Sequence, residues 1–488
     1  MKPELTYLRQ KEIEKLHRAT MAVMEKGGIE FQSEKALELF RTHGFKTEGQ
    51  RVFFTEKEIM KHVDMVPRQF KLTARNDEKS VIIGGDRPII DSGDGYVAIL
   101  TPEGRRPALL KDTLNHIKLV HTGQGIDIGG SHMVTATDII GPQGLSHTML
   151  MSYYLSDMPV KGLGFGPEYA KISIDLAKIM FGEDYVKKNY VCMGPINPTS
   201  PLRWIEEALD LLMAYAEAGQ PIEMAPAGML GTTMPITPAG GIVCANAEVL
   251  AGLVLTQMIH PGLPVVPGTT SSATDMKSMM LAMGAPECAL MAAALTAVLH
   301  SYGLPTRGGG ALTDANACDM QAGAESLMNL AIPMLSKTDL IFHTGGMCEG
   351  YASFSFEKAI MDEEILSMTN FLTRGLNLED DELAVEPLLN NAANGGDFLN
   401  NPFTFKRFKT EVWNPTMFNR LAHVAWKKLG SVTLEQKAEK IWKERVENFS
   451  PALPDAATGK ALWAYVSKNY GEIPWLTQET VTAPMFVD

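Results

Sequence analysis

One pattern limits what this chain can fold into: a short apolar run ending in Gly or Pro, then a helical stretch, repeated along the middle of the sequence. The runs are IDIGGSHMV near residue 126, VKGLGFG at 160, YVCMGP at 190, PIEMAPAG at 221, LPVVPGTT at 263, LPTRGGG at 304 and DLIFHTGG at 339. Their spacing, roughly 30 to 40 residues, is that of a strand, its helix and the return. Units in series of this kind predict an α/β protein built as a (β/α)8 TIM-type barrel. A doubly wound sheet competes, but it would carry one dominant glycine-rich nucleotide loop. Here every unit has a similar exit, no GxGxxG opens a helix, and no Walker lysine is present. Seven units are visible, and the eighth strand has no clear place, because beyond Phe356 the sequence turns helical and polar (EKAIMDEEILSMTNFLTRGL).

Around this core the character changes. KEIEKLHRATMAVMEKGGIEF and SEKALELFRTHGF read as two amphipathic helices stopped at Gly27–Gly28 and Gly44. Short runs from Val52 to Pro107, including PIIDSG and GYVAIL, read as a small β-rich section. From Asn377 the sequence is acidic, then rich in Asn and Phe, and it ends in helical LEQKAEKIWKERVENF and GKALWAYVSKNYG. The expected organisation is an N-terminal part of helices and β section (1–110), a barrel core (111–376) and a C-terminal, mainly helical appendage packed on the barrel (377–488).

A formal charge of −13 over 488 residues argues against nucleic acid and anionic membranes as partners. The N-terminus places charges where a signal peptide needs an apolar core, and apolar runs such as Val249–Leu255 and Cys288–Leu299 fall short of a membrane span, so a cytoplasmic protein is expected. Five scattered cysteines with no CxxC fit reduced thiols. The 29 methionines, among them Met193, Met224, Met229, Met234 and Met347 near presumed strand ends, suit either core gaps or an adaptable surface for a large apolar partner.

In a barrel the chemistry sits where the strands end. The residues there are Gly129, Ser131 and His132; Gly164 and Phe165; Pro195 and Asn197; Ala225 and Met229; Thr269 and Thr270; Arg307, Thr313 and Asp314; His343 and Glu349. Few of these are general acids or bases. Arg307 suits a carboxylate clamp, with an ion pair to Asp314 or Asp319 as the structural alternative. His343 follows the seventh strand directly, as a candidate for substrate contact or as a structural histidine. Tyr351, Phe354 and Phe356 form an aromatic cluster of the kind that holds a quaternary ammonium, or else packs a helix on the sheet. With no HExxH and no GxSxG, neither a metal site nor a serine nucleophile is expected.

GLPTRGGGALTDANACDMQAGAES (Gly303–Ser326), DLIFHTGGMCEG (Asp339–Gly350) and PIIDSGDGYVAILTPEGRRPA (Pro88–Ala108) together resemble the trimethylamine methyltransferase superfamily. The resemblance runs from the N-terminal helices to FEKAIMDEEIL and implies the same barrel. Members that use trimethylamine carry pyrrolysine after the seventh strand, whereas ordinary residues stand at Gly345–Tyr351 here. The chain therefore resembles the branch that demethylates glycine betaine, proline betaine, carnitine or γ-butyrobetaine and passes the methyl to Co(I) of a separate corrinoid protein. The resemblance implies no tightly bound cofactor, a small quaternary amine and a corrinoid protein as partners, and catalytic roles for Glu349 and His343. Tyr96, Tyr351, Phe354 and Phe356 become candidate cage walls, Arg307 and His343 candidate carboxylate ligands, and Glu349 a candidate counter-charge to the ammonium. A homo-oligomer is also expected, since symmetric assembly is common among enzymes. The competing classes are a barrel lyase or aldolase acting on a small carboxylate and a non-catalytic betaine-binding protein.

Overall fold

The computed structural model describes residues 3–93, 95–129 and 134–486. Its centre is a set of short parallel strands separated by helices. Val160–Lys161 pairs with Cys192–Ile196, which pairs with Ile222–Met224, which pairs with Val265–Pro267. A parallel bridge joins Gly268 to Arg307, and Arg307–Gly308 then pairs with Leu340–Ile341. The next neighbour of Leu340–Ile341 is Ile89–Ile90, from the PIIDSG run that the sequence assigned to the small β section. Parallel bridges from Asp91 to Ile128 and from Gly129 to Val160 continue the series. The partner sought after Phe356 thus lies before the first of the seven units. Its run is only two paired residues long, and no helical periodicity precedes it to mark it as part of the series.

The strands of this parallel series are buried on both faces, so alternation sorts their residues between two cores. Ile89, Ile128, Met193, Val266 and Leu340 share one face, where the hairpin of Phe70–Leu72 and Val81–Ile83 packs on them. Val160, Cys192, Ile222, Met224 and Val265 point the other way, into the large core formed with the surrounding helices. Ile90 and Ile341 likewise meet Leu330, Met334 and Ile365 of the helices Met320–Leu335 and Phe356–Thr373. The helix Pro238–Ile259 is 22 residues long and apolar enough to cross a membrane, longer than the Val249–Leu255 run within it, but it is packed inside the protein. Its Glu248, buried among apolar neighbours, has its acidity weakened by desolvation and accepts the Leu202 N–H at 2.7 Å.

The N-terminal helices form where the sequence places them, at Gln10–Lys26 and Glu34–Thr42. The C-terminal helix Leu434–Glu447 lies along Phe356–Thr373, held by the ion pair Arg445–Glu363 at 2.7 Å. Ala456–Tyr470 packs beside Gly141–Leu155 through Tyr154 and Trp463. Of the methionines singled out, Met193, Met224, Met234 and Met347 are buried core fillers. Among the described residues the exposed methionines are Met276, Met279 and Met280, on the loop after Ser272–Thr274, and Met320, which opens the helix Met320–Leu335.

Candidate active site

Past the apolar layer, the same alternation puts charge on the shared face of the strands. Asp91 lies two residues past Ile89, Lys161 stands on its strand, Glu223 lies between Ile222 and Met224, and Arg307 opens its strand; all four are at most 2% exposed. Lys161 Nζ is 3.2 Å from both Asp91 Oδ2 and Glu223 Oε1, and Arg307 Nε is 3.8 Å from Glu223 Oε1. Both cations lie over the Phe342 ring, Lys161 at 3.6 Å and Arg307 at 4.1 Å from its centroid. The four charges cancel. Among the described residues Arg307 nevertheless keeps Nε and Nη2 buried without a hydrogen-bond acceptor. An unsatisfied N–H on a buried guanidinium is costly, so this end of the layer is ready to accept an anion.

The next residue along the chain, His343, begins the following layer. It is fully buried with φ +56°, and each ring nitrogen meets a tyrosine hydroxyl: Nδ1 that of Tyr96 at 3.2 Å and Nε2 that of Tyr351 at 2.7 Å. A neutral imidazole has one donor and one acceptor nitrogen, so it fixes opposite hydrogen-bonding roles on the two hydroxyls. The approach demands glycine at position 93, where φ is +97° and a Cβ would stand 2.5 Å from His343 Nδ1.

Tyr351 reaches this point through an unusual turn. After Met347–Cys348 the residues Glu349, Gly350 and Tyr351 have φ of +52°, +56° and +91°, and Ser353–Phe354 then returns antiparallel. Hydrogen bonds from the N–H groups of Glu349 and Gly350 to the carbonyls of Ala315 and Thr313 hold the turn. A non-glycine residue at such φ persists only when its surroundings over-determine it, and such strain clusters at functional sites. Ser353–Phe354 pairs in parallel with Ala98–Thr101, which carries Tyr96 to the same place.

The predicted residues therefore divide. Tyr96, His343 and Tyr351 come together, with Arg307 next to them across Phe342. Phe354 is fully buried behind Tyr96, between His116 at 4.6 Å and Phe356 at 5.0 Å. Phe356 is turned away, stacked on Trp442 of a C-terminal helix at 4.7 Å. The Glu349 carboxylate is bound by Arg105 Nε at 2.9 Å and by the Ser353 hydroxyl, which removes the free charge that a counter-ion to ammonium would offer. Arg307 pairs with neither Asp314 nor Asp319. Desolvation raises the Asp314 pKa, and Asp319 caps the helix Met320–Leu335. Thr313 donates to Glu325, and Thr269 and Thr270 donate to the Pro226 carbonyl, so these hydroxyls hold loops. Pro195 is half-buried and Ala225 buried, whereas Asn197 and Phe165 are exposed. Ser131 and His132 lie outside the described residues.

Sequence reasoning missed Asp91, Lys161, Glu223 and Phe342. The signal was present: PIIDSG, PVKGLG and PIEMAP each set one charge inside a run otherwise apolar enough to be buried on both faces.

With this geometry in hand, a family model described as trimethylamine methyltransferase (MTTB) matches residues 1–474. The chain is 37% identical over 475 residues to a glycine betaine methyltransferase of Desulfitobacterium hafniense, covering 96% of this chain and 98% of that one. It is 31% identical over 475 residues to a proline betaine:corrinoid methyltransferase of Eubacterium limosum, covering 92% and 94%. An L-carnitine:corrinoid methyltransferase of the same organism is 30% identical over 461 residues, covering 91% and 93%.

Proposed function

This chain belongs to the trimethylamine methyltransferase family, and from that premise we propose that it transfers a methyl group from a betaine-type quaternary amine to the Co(I) of a corrinoid carried by a separate protein. Glycine betaine is the first substrate to offer, then proline betaine, carnitine and γ-butyrobetaine. The observation that carries the reading is the buried Arg307, with two N–H groups lacking acceptors among the described residues, set one aromatic ring away from the Tyr96–His343–Tyr351 cluster. One end of such a site suits a carboxylate and the other a cation against aromatic rings.

We take the parallel pairings, from Ile89 through Ile128, Val160 and onward to Leu340 and back to Ile89, as a closed (β/α)8 barrel. The helices and small β section before Ile89 and the helices after residue 376 are packed around it. The site then lies at the end of the barrel where the strands run out, as this architecture requires.

In the transfer, the Co–C bond forms as the C–N bond breaks, and nitrogen keeps the electron pair and leaves as a neutral tertiary amine. No proton has to be supplied. The protein's work is to desolvate the cation and aim one methyl in line with cobalt. Arg307 anchors the carboxylate by charge-assisted hydrogen bonds, each contributing about 1.5–3 kcal/mol. Tyr96 and Tyr351 present rings to the ammonium, at roughly 0.5–2 kcal/mol per ring. His343 holds the two tyrosines in register through their hydroxyls. Phe354 backs Tyr96, and Phe356 fixes the loop to the C-terminal helix. Bound by Arg105, Glu349 braces the turn that presents Tyr351. The corrinoid protein approaches over the loops that follow the strands, where Phe165, Ile236, Met276, Met279 and Met280 are exposed, with Met320 at the start of the next helix. Flexible methionines suit a partner that must dock and leave.

Calorimetric titration separates the two halves of the site. Glycine betaine should bind, whereas choline (without the carboxylate) and 3,3-dimethylbutyrate (without the positive charge) should each bind at least tenfold more weakly. Equal affinity for all three would overturn the assignment.

A further inference from the structure

The segment 377–432 is unlike the rest of the chain. It forms the helices Val385–Asn394, Pro402–Arg407 and His423–Lys428, yet Met417 is its one buried residue. Among the described residues, 13 of the 28 exposed large hydrophobic side chains fall in these 56 positions. Leu388, Leu389, Leu399, Phe405, Val424 and Leu429 are all more than half exposed. A monomer ordinarily exposes contiguous apolar patches of no more than a few hundred Å². Thirteen large side chains at this exposure reach the scale of the ~800 Å² per partner that a stable interface buries.

Charge along the segment identifies what covers it. Residues 377–405 carry six carboxylates (Glu379, Asp380, Asp381, Glu382, Glu386 and Asp397) and no Lys or Arg. Residues 406–432 carry six cations (Lys406, Arg407, Lys409, Arg420, Lys427 and Lys428) against the single Glu411. Within the chain Arg407 takes Glu382 at 3.0 Å and Glu411 takes Arg374 at 2.9 Å, leaving most charges of each half without an ion pair among the described residues. A segment acidic in its first half, basic in its second and apolar throughout can pair with a second copy of itself about a two-fold axis.

Position points the same way. The segment is anchored where Glu364 accepts the backbone N–H groups of Thr416, Met417 and Phe418. Thr416, Met417 and Glu364 line one cavity together with Gln124 and Gly125, the turn that leads into Ile128. That is the start of a strand, whereas His343 and Tyr351 lie past strand ends. A partner that must reach the His343 side would gain nothing from this surface.

We propose that residues 377–432 form an isologous interface with a second copy of this chain, the acidic half of each copy on the basic half of the other. The proposal stands independently of the substrate reading. Its test is the molar mass of the full chain in solution, by light scattering and sedimentation, for the wild type and for two charge-reversed variants. One carries Asp380→Lys, Asp381→Lys and Glu386→Lys; the other carries Lys409→Glu, Lys427→Glu and Lys428→Glu. These positions are exposed, so folding should be retained, as circular dichroism checks. The wild type should self-associate, each variant alone should associate at least tenfold more weakly, and an equimolar mixture should recover wild-type association. A monomeric wild type, an assembly indifferent to both reversals, or a mixture that fails to recover would each overturn the proposal. So would an unchanged assembly with weakened binding of a corrinoid protein, which would make this the partner's surface instead.

Discussion

Replacing Arg307 with methionine tests the proposed anion end of the site, because a binding role for Arg307 can be separated from its place in the charge layer. Asp91 and Glu223 balance Lys161 and Arg307, all buried. Arg307→Met alone leaves one carboxylate uncompensated, and breaking a buried pair in this way costs about 3–5 kcal/mol of stability. Adding Glu223→Gln restores neutrality with the Lys161–Asp91 pair intact, so the double variant should recover most of the lost melting temperature. It should not recover substrate binding. Two charge-assisted hydrogen bonds to a carboxylate are together worth roughly 3–6 kcal/mol, or about 100- to 10,000-fold in kcat/KM at 1.4 kcal/mol per decade. Steady-state methyl transfer from glycine betaine, read beside thermal melts of both variants, is the assay. The loss should sit in KM, since the anchor is engaged equally before and during transfer. A double variant with wild-type kcat/KM would refute the role of Arg307. So would a loss of activity that follows the melting temperature rather than the charge at position 307.

Tyr351→Phe keeps the ring but leaves His343 Nε2 buried without its 2.7 Å partner. It should lower kcat/KM about ten- to a hundredfold, and an unchanged value would remove His343 as the element that sets the tyrosines. Glu349→Gln should alter betaine affinity by less than about threefold, since half-exposed Arg105 already neutralises the carboxylate; a hundredfold loss by titration would restore Glu349 as counter-charge. His116, buried against Phe354, has its pKa pushed down to about 3 by desolvation, from 6.5. The unfolded chain therefore binds the extra proton between these values. Stability is fully present above pH 6.5 and is lost as pH falls toward 3, by on the order of 5 kcal/mol from this group. Denaturation from pH 7 to pH 4 should show a shallower decline for His116→Gln, and an identical slope would contradict the assignment. Gly346→Ala would place a Cβ 2.3 Å from the Phe354 ring at φ +81° and should cost about 2–4 kcal/mol in a urea melt.

The repeated strand–exit–helix units were legible because strands buried on both faces read as apolar runs and their exits need Gly or Pro. The strand Ile89–Ile90 was not, because its membership depends on pairing with Leu340–Ile341, some 250 residues away. His343 and Arg307 stood out because each stands directly at a strand end, although a structural role was an equally open reading for both. Tyr351 was picked out in the aromatic cluster after the seventh strand and Tyr96 through the family resemblance, but their convergence on one imidazole is tertiary. The same local rule over-reached with Phe356, whose true neighbour Trp442 belongs to a distant helix. It over-reached again with Glu349, since nothing near it in sequence shows that Arg105 folds across. The charge layer was overlooked for the opposite reason: a lone charge in an apolar run carries no local signal, yet burial on both faces means that it must meet another charge.

The most direct test of the account is single-turnover methyl transfer from glycine betaine to a reduced corrinoid protein, followed by the absorbance change from Co(I) to methyl–Co(III). Appearance of methylated corrinoid together with stoichiometric dimethylglycine, and none from trimethylamine, is the predicted result. Transfer from trimethylamine, or binding of betaine with no methyl transferred under any loading of the corrinoid protein, would contradict it.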